Sequence, residues 1–416
     1  MPTSRLTTKY RLYPTPAQIT NLRCQMGVCC DVYNSCINWR KHDWELLAKS
    51  PTCFEQVNRL PIWKQTHPEL KSVYSQTLQQ CIKRVDLAYD TYFDRVKDYK
   101  WRKAQGLLKE DEKPPRPPES KPRSRYRSLT YTHAQSFSVS EKSITLSKVG
   151  TIKAVVHRPI QGIAKTCVIS VKNDKWYACF SCEVECTPLP ACIAEIGIDV
   201  GIKVFAAFSD GTFIGNPTFY RTAEKSLAKA QRKADKLKYA RTKADKVRKH
   251  KANKAVRLIH ERTANQRHDF HHQQSRKIVN ENGRIVLEDL SVKNMMACPK
   301  PKPDPENTGQ YLPNGSAAKA GLNKSIADVG WSTFRSIVTY KAENAGRVLI
   351  DVNPAYTSQD CSGCGHRPDK KDRKKLKDRV HKCPNCSLVL DRDINAARNI
   401  LKLGLKRTAR LITISL

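Results

Sequence analysis

Residues 192–216, CIAEIGIDVGIKVFAAFSDGTFIGN, alternate apolar side chains with small or polar ones in three short runs. This alternation is typical of β-strands, and the Asp-Gly pair at 210–211 supplies a hairpin turn. The sequence therefore predicts three consecutive strands. In the first of them Asp199 shares one face with Gly197 and Gly201, and we expect these glycines to leave space for a ligand beside the carboxylate.

Further strands and helices alternate downstream of this triplet. Such alternation predicts an α/β domain. The predicted elements are helices over 221–281, 325–346 and 395–400, strands over 283–290 and 347–354, and a Pro- and Gly-rich loop over 297–323.

The first part of the chain has a different pattern. Residues 5–13 predict a strand, and Thr15 with Gln18 predicts the start of a long helix. A second helix is predicted over 72–101, followed by a Pro-rich charged linker over 109–125. Alternating residues up to position 185 predict a small β-barrel or β-sandwich that includes the N-terminal strand.

The composition is strongly basic. Lys and Arg number 75 against 39 Asp and Glu, a formal net charge of +36. Such an excess indicates a polyanionic partner, most commonly nucleic acid, and solubility alone is the alternative explanation. No apolar run has membrane-spanning length and the first residues resemble no signal peptide, so we expect a cytoplasmic, nucleoid-associated protein without membrane contact.

Carboxylates occupy two predicted strand ends. Asp199 interrupts an apolar strand, and a buried charge needs a partner or a metal ion. Glu288 ends a second apolar strand, while the adjacent Asp289 must point to the opposite face. Only one of these two acids can therefore join Asp199. The alternatives are a turn cap for Asp199 and solvent-facing carboxylates for the other strand.

The segment LDRDINAARNI, residues 390–400, contains two further aspartates, Asp391 and Asp393. If a helix starts near Asp393, then Ala397 and Ile400 lie on the same apolar face and direct Asp393 toward the sheet. Asp391 precedes the helix and is freer to reach solvent. Helix capping is the alternative role for Asp393, but it does not explain why two aspartates are present.

Three converging carboxylates would form an all-oxygen site suited to Mg²⁺ or Mn²⁺. Two such ions about 3.5–4 Å apart could clamp the attacking and leaving oxygens of a phosphodiester hydrolysis. The sequence contains no P-loop motif and no Ser-His or Cys-His nucleophile signature, either of which would indicate a competing chemistry. The candidate metal-binding residues are Asp199, one of the neighbours Glu288 and Asp289, and Asp393.

Four of the sixteen cysteines form two CxxC pairs, CSGC at 361–364 and CPNC at 383–386. Their spacing is typical of a zinc ribbon, in which four thiolates bind Zn²⁺ tetrahedrally. His366 and His381 could substitute for a cysteine, but two complete pairs make them unnecessary. The predicted zinc ligands are Cys361, Cys364, Cys383 and Cys386.

Residues 259–279, IHERTANQRHDFHHQQSRKIV, mix Arg, His, Gln and Asn with apolar residues. This mixture suits contact with backbone phosphates without sequence recognition, and a basic face of the N-terminal helices suggests a second such surface. A solvated helix is the alternative. The predicted nucleic-acid-binding residues are Gln79, Lys83, Arg84, Arg262, Arg267 and His271.

With these residues in place, the chain resembles the TnpB family of insertion-sequence proteins, which are related to type V CRISPR effectors. The resemblance covers nearly the whole chain and is most specific in its C-terminal half. The matching pieces, in family order, are YRLYPTPAQ, GIDVGIK, NQRHDF, LEDLSVKNM, DVGWSTF, YTSQDCSGCG, KCPNC and DRDINAARNI. Two stretches depart from the family, a longer segment at 297–323 and the Pro-rich stretch near 110–124.

The resemblance implies an α/β RuvC-like nuclease of RNase H topology with an inserted zinc ribbon, a helical recognition lobe and a β-barrel wedge domain. It also places the family's three acids at Asp199, Glu288 and Asp393. The implied boundaries are 1–14 for the first wedge strand, 15–122 for the recognition lobe, 123–190 for the wedge barrel, 191–355 for the first nuclease parts with a lid loop at 297–323, 356–390 for the zinc ribbon, and 391–416 for the last nuclease part.

The implied activity is RNA-guided cleavage of double-stranded DNA beside a short target-adjacent motif. A guide RNA from the element end would be bound through its backbone and through the A-form shape of the RNA–DNA duplex. The expected cofactors are Mg²⁺ or Mn²⁺, Zn²⁺ and guide RNA, in a ribonucleoprotein with one protein subunit. The alternatives are a guided DNA-binding repressor that does not cleave, and an unguided transposase or resolvase.

Overall fold

The computed structural model describes residues 3–108, 112–132, 134–185, 187–307, 309–375 and 378–414. The chain divides into two compact units, Met1–Glu185 and Cys186–Leu416. Within the described ranges, no helix combines the length and the apolar character that crossing a membrane requires.

The first unit begins with a strand and a long helix, continues with further helices, and ends in strands. Its helices are α1 (Pro16–Leu47), α2 (Cys53–Asn58), α3 (Leu60–Thr66) and α4 (Ser75–Ala104). Its strands are β1 (Thr3–Tyr13), β2 (Ser128–Tyr131), β3 (Phe137–Val139), β4 (Ser143–Leu146), β5 (Gly150–Val155), β6 (Ile163–Lys172) and β7 (Lys175–Glu185).

Helix α1 starts where the sequence predicts. The Thr15 hydroxyl accepts a hydrogen bond from the Gln18 backbone, and the Gln18 side chain accepts one from the Thr15 backbone, which forms a capping box. Helix α4 then packs on α1 through Leu78, Ile82 and Val85, which recur on one face and are fully buried. Both predicted helices are thereby confirmed.

The seven strands form one sheet in the order β2-β6-β7-β1-β5-β4-β3. Strand β1 lies in the middle of it, antiparallel to both β7 and β5, as predicted for the N-terminal strand. The predicted β-barrel is wrong, however, because closure requires a ladder between the two edge strands. In the described part of the chain, β2 and β3 form the two open edges, and they are only four and three residues long.

The second unit has the predicted α/β order. Its helices are α5 (Phe219–Lys236), α6 (Lys243–Glu281), α7 (Val292–Met295), α8 (Ser316–Val329), α9 (Trp331–Asn344) and α10 (Arg392–Ile414). Its strands are β8 (Glu195–Val200), β9 (Val204–Phe208), β10 (Phe213–Gly215), β11 (Arg284–Glu288), β12 (Lys302–Pro303), β13 (Tyr311–Leu312), β14 (Val348–Val352), β15 (Val380–Lys382) and β16 (Val389–Asp391).

The main sheet has the strand order β10-β9-β8-β11-β14. The three consecutive strands pair antiparallel, as predicted, whereas β11 runs parallel to both β8 and β14. Gly211 has a φ of 95°, which lets the Asp-Gly pair close the second hairpin. The carboxyl ends of β8 and β11 therefore meet at one edge of the sheet.

Two predicted elements need correction. The helix expected over 325–346 is two helices, because Gly330 has a φ of 69° and ends α8 before α9 begins. The loop expected over 297–323 contains the short β12–β13 hairpin and the first turns of α8. Its role as a lid stays a prediction.

The two faces of the sheet pack differently. One face, with Ile198 and Leu287, joins a large core that includes Val279 of α6 and Phe334 of α9. On the other face α10 lies so close that a Cβ on Gly197 would stand 2.2 Å from the Ala397 carbonyl oxygen. The expectation that this glycine leaves space for a ligand is wrong, since the space is taken by helix backbone.

Candidate active site

Asp199 and Glu288 lie side by side at the carboxyl ends of parallel strands. Ile198 of β8 stands opposite Leu287 of β11, so the next residue on each strand points to the other face, toward α10. Glu288 is buried, at 8% exposed, and Asp199 is half-buried. Asp289 points away, with its side chain 68% exposed and 3.8 Å from the guanidinium of Arg335. The sheet thus brings Glu288, and not Asp289, to Asp199, and only one of these two acids was expected to join it.

Asp393 reaches the same place from the first turn of α10. Ala397, one turn further along, packs its backbone on Gly197. Ala397 and Ile400 are both fully buried, which confirms the predicted inward face of the helix. The charges of Glu288 and Asp393 both act on the carboxyl group of Asp199.

The two aspartates at the start of α10, Asp391 and Asp393, have different roles. Asp391 Oδ1 accepts hydrogen bonds from the backbone N–H groups of Asp393 (2.7 Å) and Ile394 (3.3 Å). It therefore caps the helix and does not reach freely into solvent as expected. Because Asp391 satisfies these N–H groups, the carboxylate of Asp393 is left for the site.

Burial and like charge dominate the electrostatics. Burial raises the pKa of Asp199 to about 8, with Glu288 and Asp393 adding to the effect and Arg392 opposing it. Burial also raises the pKa of Glu288, against a hydrogen bond from Thr357. Arg392 and Arg379 stand 3.4 and 3.7 Å from Asp393 and supply positive charge. Such buried anionic groups are stabilised by a bound cation.

The donor chemistry fits a hard divalent cation, since all three side chains offer carboxylate oxygens. Their spacing differs from that of a compact single-ion site. In a compact metal site the ligand atoms lie close together. Across the described ranges, the four cysteines form such a group of potential metal ligands, with ligand atoms all within 4.8 Å of one another. The three carboxylates are spread more widely than that.

The cysteine cluster has the geometry of a tetrahedral metal site. The Sγ atoms of Cys361 and Cys386 lie 3.6 Å apart, as do those of Cys364 and Cys383. Zinc with four sulfurs at about 2.3 Å has sulfur–sulfur edges of about 3.8 Å. A hydrogen bond from the Asn385 amide lowers the pKa of Cys364 to about 6, which favours the thiolate that a metal binds.

Among the described residues, the two nearby histidines lie beside the cysteine cluster without joining it. The backbone carbonyl of His366 accepts from the Cys361 N–H at 2.9 Å. The ring of His381 is buried, and its Nδ1 contacts the Lys374 amine. In the region that the structure describes, the four cysteines form the metal-ligand cluster without either histidine, as predicted.

The residues predicted to bind nucleic acid fall into two groups. Lys83 and Arg262 are exposed and Gln79 is half-buried. Arg84 instead donates to the Thr130 hydroxyl at 2.6 Å and to the Ser128 carbonyl, so it holds α4 against the sheet.

The prediction is wrong for His271 and unsupported for Arg267. His271 is 1% exposed, and its Nε2 contacts the Val329 carbonyl at 2.9 Å. Arg267 forms an ion pair of 2.8 Å with the buried Asp328. Both residues of α6 hold the junction between α8 and α9, because the helix turns this side inward.

Thr357 is a further functional candidate, visible in the structure but not in the sequence. Its hydroxyl donates to Glu288 Oε1 at 2.6 Å. The contact joins a loop to a strand end 69 positions away, and no local pattern marks such a pair.

Comparison with known proteins relates this site to a family. A model described as "Probable transposase" matches residues 179–298, and one described as "Cas12f1-like, TNB domain" matches residues 331–400. A Streptomyces pristinaespiralis protein named "Putative RNA-guided DNA endonuclease" is 30% identical over 96% of this chain and 90% of its own length. The chain belongs to the TnpB family.

Other TnpB-family comparisons agree. An Escherichia coli K12 protein named "Putative RNA-guided DNA endonuclease InsQ" is 29% identical, over 95% of this chain and 91% of its own length. A solved structure of a mini-RNA-guided endonuclease, CRISPR-Cas phi3, superposes with a TM-score of 0.56 at 10% identity and covers 97% of this chain and 92% of that one. This likeness shows the fold.

A third family model, described as "Helix-turn-helix domain", matches residues 1–48 of this TnpB-family chain. In the structure those residues are strand β1 followed by the single helix α1. The described residues of this segment therefore hold a strand and one continuous helix, not two helices joined by a turn.

Proposed function

We propose that the protein is an RNA-guided DNA endonuclease whose cleavage depends on divalent metal held by Asp199, Glu288 and Asp393. The observation that carries this proposal is the convergence of three carboxylates from β8, β11 and α10 in a basic chain. The relatives named as RNA-guided DNA endonucleases over nearly the whole length support the guide and the DNA substrate.

Mg²⁺ or Mn²⁺, bound as a pair, would stabilise negative charge on the attacking and leaving oxygens of the phosphodiester. The chain's own part is to hold three oxygen donors on rigid elements. Asp199 and Glu288 are fixed by neighbouring strands, and Asp393 is fixed by a helix capped by Asp391.

Zn²⁺ on the four cysteines is proposed as a structural ion. All four positions are filled by protein sulfur, which leaves no open position for substrate. The cluster orders a lysine-rich segment that has few apolar residues of its own.

A matched pair of variants tests the catalytic assignment. Glu288→Gln should abolish Mg²⁺-dependent cleavage of target DNA by the purified ribonucleoprotein, while guide and target binding persist. Asp289→Asn, one residue away and pointing outward, should cleave like the wild type. Equal cleavage by both variants would reject the site.

Sequencing of the copurified RNA tests the guide. A dominant small RNA from the element end is expected. Its absence, together with cleavage, would favour an unguided transposase or resolvase, and guided binding without cleavage would favour a repressor.

A further inference from the structure

A short hydrogen bond fixes the carboxylate of Glu288. The Thr357 hydroxyl lies 2.6 Å from Glu288 Oε1, and both side chains are buried. The same hydroxyl lies 3.0 Å from the Pro354 carbonyl. Its single proton favours the carboxylate, because that contact is shorter and charge-assisted. One oxygen of Glu288 is therefore held in place from the side of the Thr357 loop.

Thr357 is itself held by α10, the helix that carries Asp393. The amide nitrogen of Asn399 donates to the Thr357 carbonyl at 2.8 Å and to the Asp360 carbonyl at 2.8 Å. Asn399 is buried, so these bonds are protected from exchange with water.

A second asparagine on the same face of α10 extends these hydrogen bonds to the cysteine cluster. Asn395 is 0% exposed, donates to the Asp360 carbonyl at 2.8 Å, and accepts from the Ser362 N–H at 2.9 Å. Ser362 lies in the CxxC turn between Cys361 and Cys364. The side chain of Asn395 therefore fixes the turn that presents two of the four sulfurs.

We propose that Thr357 is a positioning residue that orients Glu288 for divalent-cation binding, and that Asn399 and Asn395 couple this orientation to the Cys361–Cys364 turn. The inference rests on the proposed metal site at the carboxylates. Its physical basis is a continuous run of buried and partly buried hydrogen bonds through Glu288, Thr357, Asn399, Asp360, Asn395 and Ser362.

The first test uses Ca²⁺ binding, measured by calorimetry on the full chain without DNA. Thr357→Val removes the hydroxyl at nearly constant volume and should weaken Ca²⁺ binding about 10- to 100-fold. Thr357→Ser should recover most of the affinity, because it restores the donor. Thr339→Val is the matched control, since that hydroxyl donates to the Arg335 carbonyl of its own helix.

The second test is a double-mutant cycle on the same readout. Asn399→Leu should weaken Ca²⁺ binding through loss of support for Thr357. Its effect should disappear in the Thr357→Val background, because the bond it supports is already absent. Circular dichroism and zinc content of each variant separate a specific effect from unfolding.

Wild-type Ca²⁺ affinity in folded Thr357→Val would overturn the positioning role, and fully additive effects would overturn the coupling. Asp199→Asn sets the baseline for the carboxylate site. A chain that binds Ca²⁺ there but never cleaves DNA would contradict the proposed nuclease function alone.

Discussion

The carboxylate of Asp391 accepts a hydrogen bond of 2.7 Å from the backbone N–H of Asp393. Asp391 therefore caps helix α10, and the capped helix holds Asp393 in the candidate site. Asp391→Ala should lower the free energy of unfolding by about 0.5–2 kcal/mol and reduce cleavage partially, whereas Asp391→Asn should keep the cap. Asp393→Asn should abolish cleavage with little change in stability. Denaturant unfolding and cleavage assays compare the three, and a stable, inactive Asp391→Ala would contradict this division.

The pH dependence of the metal-free protein should follow Asp199. Its pKa is raised from 3.8 to about 8, so the folded chain binds more protons than the unfolded one across this window. Stability is then highest at the acid end and is lost as pH rises through the folded value. Asp199→Asn should flatten this slope and stabilise the metal-free protein at pH 8 by about 1–3 kcal/mol. Thermal melts across pH measure it, and an unchanged slope would contradict the burial of this charge.

Close packing of α10 on the sheet should make Gly197 intolerant of substitution. In Gly197→Ala the added Cβ would meet the Ala397 carbonyl and the backbone of Leu401, so we expect destabilisation of about 3 kcal/mol or more and loss of cleavage. Gly321→Ala is the control, because this glycine lies in α8 with nothing near its Cβ position. That change should be neutral or stabilise by up to about 1 kcal/mol. Equal behaviour of the two variants would contradict the close approach.

Removal of the cluster metal should unfold the ribbon. A chelator is expected to release one Zn²⁺ per chain, and Cys383→Ser should abolish its binding, since the remaining three sulfurs leave the site incomplete. Cys298→Ser, at an exposed cysteine away from the cluster, should retain the ion. A colorimetric zinc assay reads both variants, and retention of zinc by Cys383→Ser would reject the four-sulfur site.

Two arginines of α6 should separate binding from folding. Arg262 is exposed, so Arg262→Ala should weaken nucleic-acid binding and reduce the salt dependence of its affinity by about one charge. Arg267 is paired with the buried Asp328, so Arg267→Ala should chiefly lower stability. Nucleic-acid affinity measured across salt concentrations, together with thermal melts, distinguishes the two variants. A weaker affinity and unchanged stability in Arg267→Ala would place Arg267 on the binding surface.

The sequence predicted those features that local patterns specify. Alternation and an Asp-Gly turn predicted the strand triplet, and CxxC spacing predicted the sulfur cluster. The face of α10 with Ala397 and Ile400 predicted the inward direction of Asp393. These features depend on side-chain period, which one chain displays without homologues.

The remaining features depend on tertiary contacts or on element boundaries. Helix α10 starts at Arg392, so Asp391 caps it and does not reach into solvent as expected, while Asp393 keeps its predicted inward direction. The direction in which α6 faces its neighbours decided that His271 is buried. Whether the short β2 and β3 would pair is not encoded in either strand alone, and the bond from Thr357 to Glu288 joins segments far apart in the chain.

The central place of β1 in its sheet has a consequence for biosynthesis. Thr3 pairs with Glu185, so most of the first unit must leave the ribosome before this strand can complete its ladder. At about 5–20 residues per second, β1 waits about ten seconds or longer with unpaired edges. Truncated chains released before β7 emerges should therefore be prone to aggregation and should be recognised by chaperones.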